Sequence, residues 1–469
     1  APALADGGTH LAVDPARLFA AHLHRTRFSD LPAATVAATK RDILDTFGCM
    51  LGGSGAPGIP ALLTIAARRG GCEEASVLVH DQRLPAPEAA LINAAMGHAL
   101  DFDDTLDHGG SMHPGVSTLA AAIATAEMRG HLTGQDLVLA VTLGLDISCR
   151  IALAATLDRG WHRTASIGVF GATAASGKLL ALTADQIEHA LGIALSFASG
   201  SRQCIVDGAL TKRLQAGQAA RDGILSALLA AEDFTGTRGT FAGRFGFFEL
   251  YQPNGYDLAP LTSELGSAFR GDELSFKPYP CGRPLHAALD AAIEIREALG
   301  IARSKDVADV EIMLDGAIYR DQFEAGPHRA RPRQIVEAQF GLPFLIALAL
   351  IHGKVGIADV ARLGDRGEFG LAARIKGHAA PEPRPRDWAR IAVRHADGRT
   401  VARDTTIPIG APDRPLSAEQ SASKFRDCAR NAECTLPSET IDALLADLAA
   451  LEHLPDIGTM LRRAKGARR

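Results

Sequence analysis

The chain has 469 residues, of which 47% are hydrophobic, so it is long enough for two or three domains or for one large core with an insertion. Its 49 Lys and Arg residues and 54 Asp and Glu residues give a formal net charge of −5, spread along the chain without a long block of one sign. This pattern excludes a strongly basic nucleic-acid-binding surface and gives no indication of an anionic membrane as partner. An anionic substrate would therefore need a local basic site.

Cysteine usage and the apolar segments indicate the compartment. The seven cysteines are an odd, scattered set without a C-x-x-C pair, which disfavours a disulfide framework and a zinc or iron–sulfur ligand set. Residues 1–9 lack the basic start and apolar core of a secretory signal, and the apolar stretch around 132–156 is interrupted by Asp136, Asp146 and Arg150. We therefore expect a cytoplasmic protein, in a reducing compartment and without a membrane span.

The first part of the chain, up to about residue 265, is predicted to be helical and rich in Ala and Leu. Apolar residues recur at helical spacing in several of its segments, and Thr183, directly before Ala184 and Asp185, is a plausible N-cap. The predicted helices are 34–52, 86–100, 115–129, 134–156, 164–181, 184–199 and 213–232.

The pattern changes near residue 270. Segments 306–315 and 389–395 alternate between apolar and polar residues like half-buried strands. Between them, 334–352 is predicted to be a buried helix, and 284–299 is predicted to be another. From Leu416 onward the sequence returns to amphipathic helix.

These elements predict a mainly α fold, in which a large all-helical domain carries a smaller inserted α+β domain. Residues 1–268 would form the first part of the helical domain, and residues 269–408 would form the lid-like α+β domain. Residues 409–469 would be C-terminal helices that return to the helical domain.

Four regions place unusual polar residues in apolar surroundings: 98–113, 160–164, 207–215 and 277–286. Each region also has a purely structural explanation. Asp101 to Thr105 could form a turn and a cap, His162 could cap a helix, Lys212 could be a solvated surface residue, and Arg283 with His286 could cap a helix or pair the domains. Composition alone does not choose between these explanations and a functional site.

The four regions resemble the motifs of the MmgE/PrpD family. The first, HALDFDDT, resembles the family's H-A-x-D-F-D-D-T stretch, which is followed by H-P, here His113 and Pro114. The second, GWHRT, resembles G-[FW]-H-x-T, and the fourth, KPYPCGRPLH, resembles K-P-Y-P-C-x-R-x-x-H. The third, GALTKRLQAGQAA, matches G-x-x-T-K-R-L-x-x-G-x-A-A at nearly every position and is the most specific. Weaker matches extend the resemblance over nearly the whole chain.

The resemblance implies a cofactor-free enzyme that acts on small di- or tricarboxylates and forms a homodimer. Known reactions of the family dehydrate 2-methylcitrate, decarboxylate cis-aconitate and epimerise iminodisuccinate. Each reaction adds or removes a proton beside a carboxylate, or at an equivalent carbanion-like centre. Such a site needs cations that neutralise the carboxylate, together with a positioned base and acid.

The catalytic residues that the resemblance implies are Asp101, His113, His162, Lys212 and Lys277. The lysines would neutralise the substrate carboxylate, and the histidines would act as base and acid. Lys212 stands at a predicted helix start, where backbone N–H groups would also help to hold an anion. Asp101 and Thr105 would orient a histidine or hydrogen-bond the substrate. The implied substrate-binding residues are Thr105, Lys212, Gln215, Lys277, Arg283 and Tyr319.

The sequence departs from the family pattern at four places. The segment from Thr105 to His113 is longer than in many members, with His108 in the extra turn. Gln215 replaces a histidine that many relatives carry, Gly282 stands where other members can carry a polar residue, and Gly341 replaces the usual serine. The substrate therefore need not be that of the best-known members.

Four functions fit these residues. The first is a hydro-lyase of the 2-methylcitrate dehydratase type, the second an epimerase or racemase, and the third a decarboxylase of the cis-aconitate type. The fourth is a non-catalytic carboxylate-binding protein, which would not need a full acid/base set. Measured turnover would separate the enzymes from the binding protein.

No metal ion and no organic cofactor are expected. The sequence has no H-E-x-x-H motif and no Gly-rich dinucleotide loop. Five residues separate Gly171 from Gly177, and Leu follows Lys178, so this run is assigned to helix packing instead of phosphate binding. Cys281 is expected to be buried and not nucleophilic.

Overall fold

A computed structural model describes residues 13–108, 110, 112–363 and 367–465. Residues 1–9, for which no secretory signal is expected, lie outside the described residues. Helices dominate the described chain, and the strands form a two-stranded hairpin and a four-stranded sheet. The predicted mainly α class is therefore confirmed.

The first part of the chain is built from helices and one short hairpin. Some of its helices begin at a side-chain cap; Thr133 and Asp136, for example, form a capping box. The predicted cap at Thr183 is confirmed, since its side chain accepts from the Gln186 N–H. The helices are α1 Pro15–Arg25, α2 Ala33–Gly52, α3 Ile59–Arg69, α4 Ala86–Gly97, α5 Pro114–Arg129, α6 Gly134–Ala154, α7 Arg163–Ser166, α8 Gly168–Leu179, α9 Ala184–Leu195, α10 Gln203–Val206, α11 Thr211–Ala231, α12 Phe247–Tyr251 and α13 Ala259–Thr262, and the strands are β1 Ala75–Val77 and β2 Gln82–Leu84.

Helices α4, α5, α6, α8 and α11 pack on one another in the centre of this part. Small residues let them approach closely. A Cβ on Gly171 of α8 would stand 2.0 Å from the Ser148 hydroxyl oxygen on α6, so only glycine fits there. This contact agrees with the assignment of the Gly171 to Lys178 run to helix packing.

Helix α6 is the only helix of the described chain that is long and apolar enough to cross a membrane, and 94% of its most apolar window is buried inside the fold. Asp146 and Arg150, which interrupt the apolar stretch, form a fully buried ion pair with 2.9 Å between Oδ2 and Nε. Arg150 also donates to the backbone carbonyls of Ser263 and Ala268. These partners are typical of a core helix that anchors the next segment of the chain.

The second part of the chain forms a separate hydrophobic core around a mixed sheet with strand order β4-β3-β5-β6. Strand β3 runs parallel to β4 and antiparallel to β5, and β6 pairs antiparallel with β5. Helix α14 covers the sheet and also packs against α17. The strands are β3 Val307–Leu314, β4 Ile375–Ala379, β5 Ala389–His395 and β6 Thr400–Thr405, and the helices are α14 His286–Leu299, α15 Gly316–Tyr319, α16 Ile335–Gln339, α17 Leu342–His352, α18 Ile357–Ala361 and α19 Glu368–Ala372.

The last helices, α20 Ala418–Arg430, α21 Ser438–Ala449 and α22 Gly458–Arg463, join the first hydrophobic core. Helix α20 packs along α2, with the rings of Phe47 and Phe425 stacked 6.5 Å apart. The chain therefore leaves the first core, builds the second, and returns. The domain boundaries predicted near residues 268 and 408 stay a prediction.

Two predicted helices are wrong in detail. Segment 164–181 is two helices, α7 and α8, separated at Ile167, and segment 334–352 is α16 and α17, separated at Phe340 and Gly341. In the second case the backbone of Gly341 has φ −103° and ψ 86°, which is not helical. Phe340 at the second break lines the cavity described next, as does His162, which directly precedes α7. Apolar periodicity continues across each break, so the pattern alone could not reveal it.

Candidate active site

A cavity of about 370 Å³ lies between the first core and the opening of the second. All five residues predicted to be catalytic line it, although the chain separates them by as many as 176 positions. They come from the turn after α4, the starts of α5, α7 and α11, and the segment before α14. The structure thus brings the predicted set together.

Asp101 forms ion pairs with both predicted lysines. Its Oδ1 lies 2.7 Å from Lys212 Nζ and its Oδ2 lies 3.4 Å from Lys277 Nζ, while Lys277 also donates to the Asp101 carbonyl at 2.9 Å. Burial would raise the pKa of Asp101, but the two lysines outweigh it and hold this pKa well below its ordinary value. The carboxylate is therefore ionised, and the trio keeps one uncompensated positive charge. Asp101 thus contacts two cations, and the role predicted for it, orienting a histidine or hydrogen-bonding the substrate, stays a prediction.

His98 lies behind this trio and is fully buried. Its Nδ1 lies 2.6 Å from Asp103 Oδ2, and its Nε2 lies 2.9 Å from Lys212 Nζ. Because a carboxylate only accepts and an ammonium only donates, the proton resides on Nδ1 and Nε2 accepts from Lys212. Burial, and then Lys212, lower the pKa of His98 well below 6.5, so the ring is neutral near pH 7.

His113 occupies the N-cap position of α5, directly before Pro114. Its Nδ1 donates to the Asp104 carbonyl at 2.5 Å, which leaves Nε2 as a hydrogen-bond acceptor. The ring centroid lies 5.1 Å from that of His98. Burial lowers the pKa of His113 well below 6.5 despite the opposing effect of Asp103. A neutral imidazole in this position can remove a proton from a bound molecule.

His162, on the other side of His98, precedes α7, and the two ring centroids lie 5.4 Å apart. Its Nδ1 lies 2.8 Å from Gln215 Oε1. The Gln215 amide is itself oriented, since its Nε2 donates to the Ser201 carbonyl at 3.2 Å. The proton of His162 therefore resides on Nδ1. Burial, then His98 and Lys212, lower the pKa of His162 well below 6.5.

The lining of the cavity as a whole is strongly basic. Seven lysine and arginine side chains but only three carboxylates line the cavity within the described residues. Two of these arginines are paired with lining carboxylates, Arg202 with Asp158 and Arg329 with Asp321. Exposed Arg386 comes from the loop between β4 and β5 of the second core. The cavity can therefore hold a molecule that carries more than one negative charge.

A second group of buried carboxyls lies on the inner side of the same turn. Asp42 Oδ1, Asp104 Oδ1 and Thr46 Oγ1 would stand within 2.9 Å of a Cβ on Gly115, so only glycine fits between them. Neither oxygen of Asp42 has a hydrogen-bond partner among the described residues. Burial and neighbouring carboxylates raise the pKa of both Asp42 and Asp104 well above the ordinary value. Asp42 and Asp104, the inner carboxyl pair, therefore hold a proton more readily than ordinary aspartates do.

Two family models match the chain: the MmgE/PrpD N-terminal domain over residues 17–258 and the MmgE/PrpD C-terminal domain over residues 279–445. The chain belongs to the MmgE/PrpD family. Similar curated proteins include the cis-aconitate decarboxylases of Mus musculus, 26% identical over 466 residues, and of Aspergillus terreus, 26% identical over 462 residues. These matches cover 96% and 92% of this chain and 93% and 92% of the relatives.

The remaining site residues implied by MmgE/PrpD membership lie at different distances from the cavity. Arg283 lines it and also pairs with Asp107 of the first core, with 3.1 Å between Nη2 and Oδ2. Gln215 contacts His162, and its role in substrate binding stays a prediction. Thr105 pairs through its backbone with Ser275, and its buried hydroxyl has no hydrogen-bond partner in the part of the chain that the structure describes. Half-buried Tyr319 stacks on Phe323 at 5.9 Å and lies next to the lining residue Ile318.

Sequence reasoning missed His98 and Asp103 as site residues. Both stand inside the HALDFDDT stretch, so the family motif itself contained the signal. It also missed Phe340, whose ring lies 5.8 Å from Lys212 Nζ. A Cβ on Gly282 would stand 3.0 Å from this ring, so the departure at Gly282 makes room for Phe340.

Cys281 is fully buried, as expected, and burial raises the pKa of its thiol far above the ordinary value. His286, next to it in the fold, is also buried, and its Nε2 lies 3.3 Å from the Cys281 carbonyl. Neither residue lines the cavity. A neutral buried thiol is a poor nucleophile, so the cysteine is part of the packing under the site.

Proposed function

We propose that this chain is a cofactor-independent lyase that decarboxylates cis-aconitate or a closely similar tricarboxylate. The observation that carries the proposal is the grouping of two ammonium groups, one ionised carboxylate and three neutral imidazoles at one basic cavity. The names of the relatives, which match along nearly their whole length, supply the reaction type. Decarboxylation was the third function in the sequence analysis, and these relatives favour it over the first.

The charges of the cavity support a substrate with several carboxylates. Asp101 holds Lys212 and Lys277 on its two carboxylate oxygens, at 2.7 and 3.4 Å, yet neutralises only one of them. Five arginines among the described lining residues add further positive charge, and two of them are paired with lining carboxylates. A dicarboxylate would leave part of this charge uncompensated, which is costly where the cations are buried.

Decarboxylation next to a C=C bond breaks one C–C bond, releases CO₂ and leaves an electron pair. The pair spreads towards a remaining carboxylate, where Lys212 and Lys277 stabilise the developing negative charge. A proton must then be added to carbon. The histidines are neutral in the free protein, so a bound anion has to raise the pKa of His113 or His162 before either can donate this proton.

A hydro-lyase acting on a citrate-like hydroxy acid is the second candidate. Neutral imidazoles are ready to act as bases, and dehydration begins by removing a proton beside a carboxylate. The epimerase has no relative among the matches to favour it. The homodimer and the cytoplasmic location stay predictions.

The test is proton NMR in D₂O of the chelator-treated protein with cis-aconitate, citrate, 2-methylcitrate, malate, tartrate and iminodisuccinate in turn. We expect loss of cis-aconitate and a decarboxylated product that carries one deuterium. Lys212→Met should reduce this turnover by about 10³-fold. Water loss or addition would select the hydro-lyase. Binding of the acids without turnover or deuterium uptake would contradict an enzymatic function.

A further inference from the structure

Lys424, on helix α20 of the returning C-terminal segment, reaches the catalytic turn. Its side chain is buried, and its Nζ lies 2.6 Å from Asp45 Oδ1 on α2. The same ammonium donates to the Phe102 carbonyl at 2.7 Å and lies 4.1 Å from the centre of the Phe102 ring. One cation is thus shared between a carboxylate, a backbone carbonyl and an aromatic face.

The turn that Lys424 contacts is under strain. Asp101 has a φ of +51°, in the left-handed region, which L-residues rarely adopt. Such a conformation persists only when surrounding contacts fix it. Asp101 must keep it, because the same backbone aims its carboxylate between Lys212 and Lys277.

Three side chains hold the carbonyls of this turn. Lys277 donates to the carbonyl of Asp101, Lys424 to that of Phe102, and His113 to that of Asp104. Lys277 and His113 line the cavity, whereas Lys424 does not. Lys424 therefore acts on the turn from behind, without access to a bound molecule.

We propose that Lys424 is a positioning residue of the active site, which fixes the turn Asp101–Asp104 and thereby the spacing of Lys212, Lys277 and the histidines. The proposal rests on the proposed function, since it assumes that this spacing matters for turnover. Loss of the contact lowers kcat more than it raises KM, because the charges that attract the substrate remain while their alignment is lost.

The test compares two lysines that both donate to backbone carbonyls. Lys424→Met alone would leave Asp45 buried without its cation, so the double variant Lys424→Met/Asp45→Asn is used as well. Lys178→Met is the matched control. Lys178 Nζ also donates to backbone carbonyls, those of Leu23 and Thr26 at 2.8 and 2.6 Å, at the end of α1 and outside the cavity lining.

Two measurements are made on each full-length variant: kcat and KM for cis-aconitate, and hydrogen–deuterium exchange of peptides that cover residues 98–107. For the double variant we expect kcat to fall by about 10²-fold, KM to change less than about threefold, and exchange in this segment to become faster. Lys178→Met should change none of these quantities by more than about twofold.

Wild-type turnover in the double variant, or an equal loss of kcat in Lys178→Met, would overturn the positioning role. If the wild-type protein turns over none of the acids, the proposed function fails separately. Hydrogen–deuterium exchange then tests the role of Lys424 by itself. Unchanged protection of residues 98–107 in the double variant would overturn this role. Faster exchange that is confined to the double variant would support it.

Discussion

Buried aspartates lie on both sides of one turn, and their pKa values are shifted in opposite directions on the two sides. On the outer side, Asp101 is ionised, because Lys212 and Lys277 lower its pKa despite complete burial. On the inner side, the pKa of each member of the inner carboxyl pair is raised well above its ordinary value, because burial and neighbouring carboxylates act in the same direction. The three side chains are almost equally buried.

For these three carboxyls, burial alone therefore does not set the direction of the pKa shift, since two lysines reverse it at Asp101. The outer side supplies the site with fixed charges that face the cavity. The inner side supplies carboxyls that resist ionisation under the start of α5, where an additional negative charge would weaken the cationic site. The predictions below test this division, from the largest expected effect to the smallest.

Asp101→Asn should remove most of the difference. Lys212 and Lys277 would lose the carboxylate they share, and a buried charge without its partner costs about 3–5 kcal/mol in the free energy of unfolding. Urea denaturation measures this loss. Adding Lys277→Met to the variant should restore part of it, because one of the two unpaired cations is then removed. Lys376→Met, which breaks the exposed pair with Asp309, should cost less than about 1 kcal/mol. Equal losses in Asp101→Asn and Lys376→Met would contradict the comparison.

Asp42→Asn should stabilise the protein near pH 7.5. The pKa of Asp42 is raised in the folded state, so the unfolded chain binds fewer protons than the folded chain above about pH 4, and stability falls as pH rises from there. Asparagine removes this dependence. The gain should grow from near zero at pH 4 by at most about 1.4 kcal/mol per pH unit, as measured by urea denaturation across the pH range.

The matched control is Asp45→Asn, three positions along α2. Asp45 is also buried but pairs with Lys424, so its loss leaves a cation without its partner and should destabilise the protein at pH 7.5. Changes of the same sign in the two variants would show that burial alone governs these carboxyls.

Gln215→Leu should lower kcat/KM for cis-aconitate by about tenfold, which corresponds to one lost hydrogen bond of about 1.4 kcal/mol. Without the amide oxygen, the Nδ1–H of His162 has no partner, and the proton is free to move to Nε2. Gln203→Leu, which removes an exposed amide bonded to Asp207, is the control and should leave kcat/KM unchanged. If Gln215→Leu lowers only the thermal stability and leaves kcat/KM unchanged, a role of Gln215 through His162 is excluded.

Arg386→Gln should raise KM about threefold at low salt and have no effect at high salt, because an exposed arginine attracts an anion through a screened field. The control is Arg390→Gln, which changes an exposed arginine on β5. A KM effect that persists at high salt would place Arg386 in direct contact with the substrate.

The sequence predicted the helices of the first core well, since apolar spacing and caps such as Thr183 act over a few residues. It did not predict β4 and β6, which have four or more exposed or half-exposed residues and little alternation. It also named the five cavity residues, because the family motifs contain them. It could not assign Lys424, whose contact with Phe102 spans 322 positions, or the link between His98 and Lys212, which spans 114.

The long span of the Lys424 contact determines when the site can form during synthesis. The turn at Asp101 leaves the ribosome more than three hundred residues before the helix that holds it in place. Until α20 has been made and has packed along α2, the turn lacks one of its three carbonyl contacts. The growing chain therefore gains this contact only after α20 has been made, and a chain that ends before α20 lacks it.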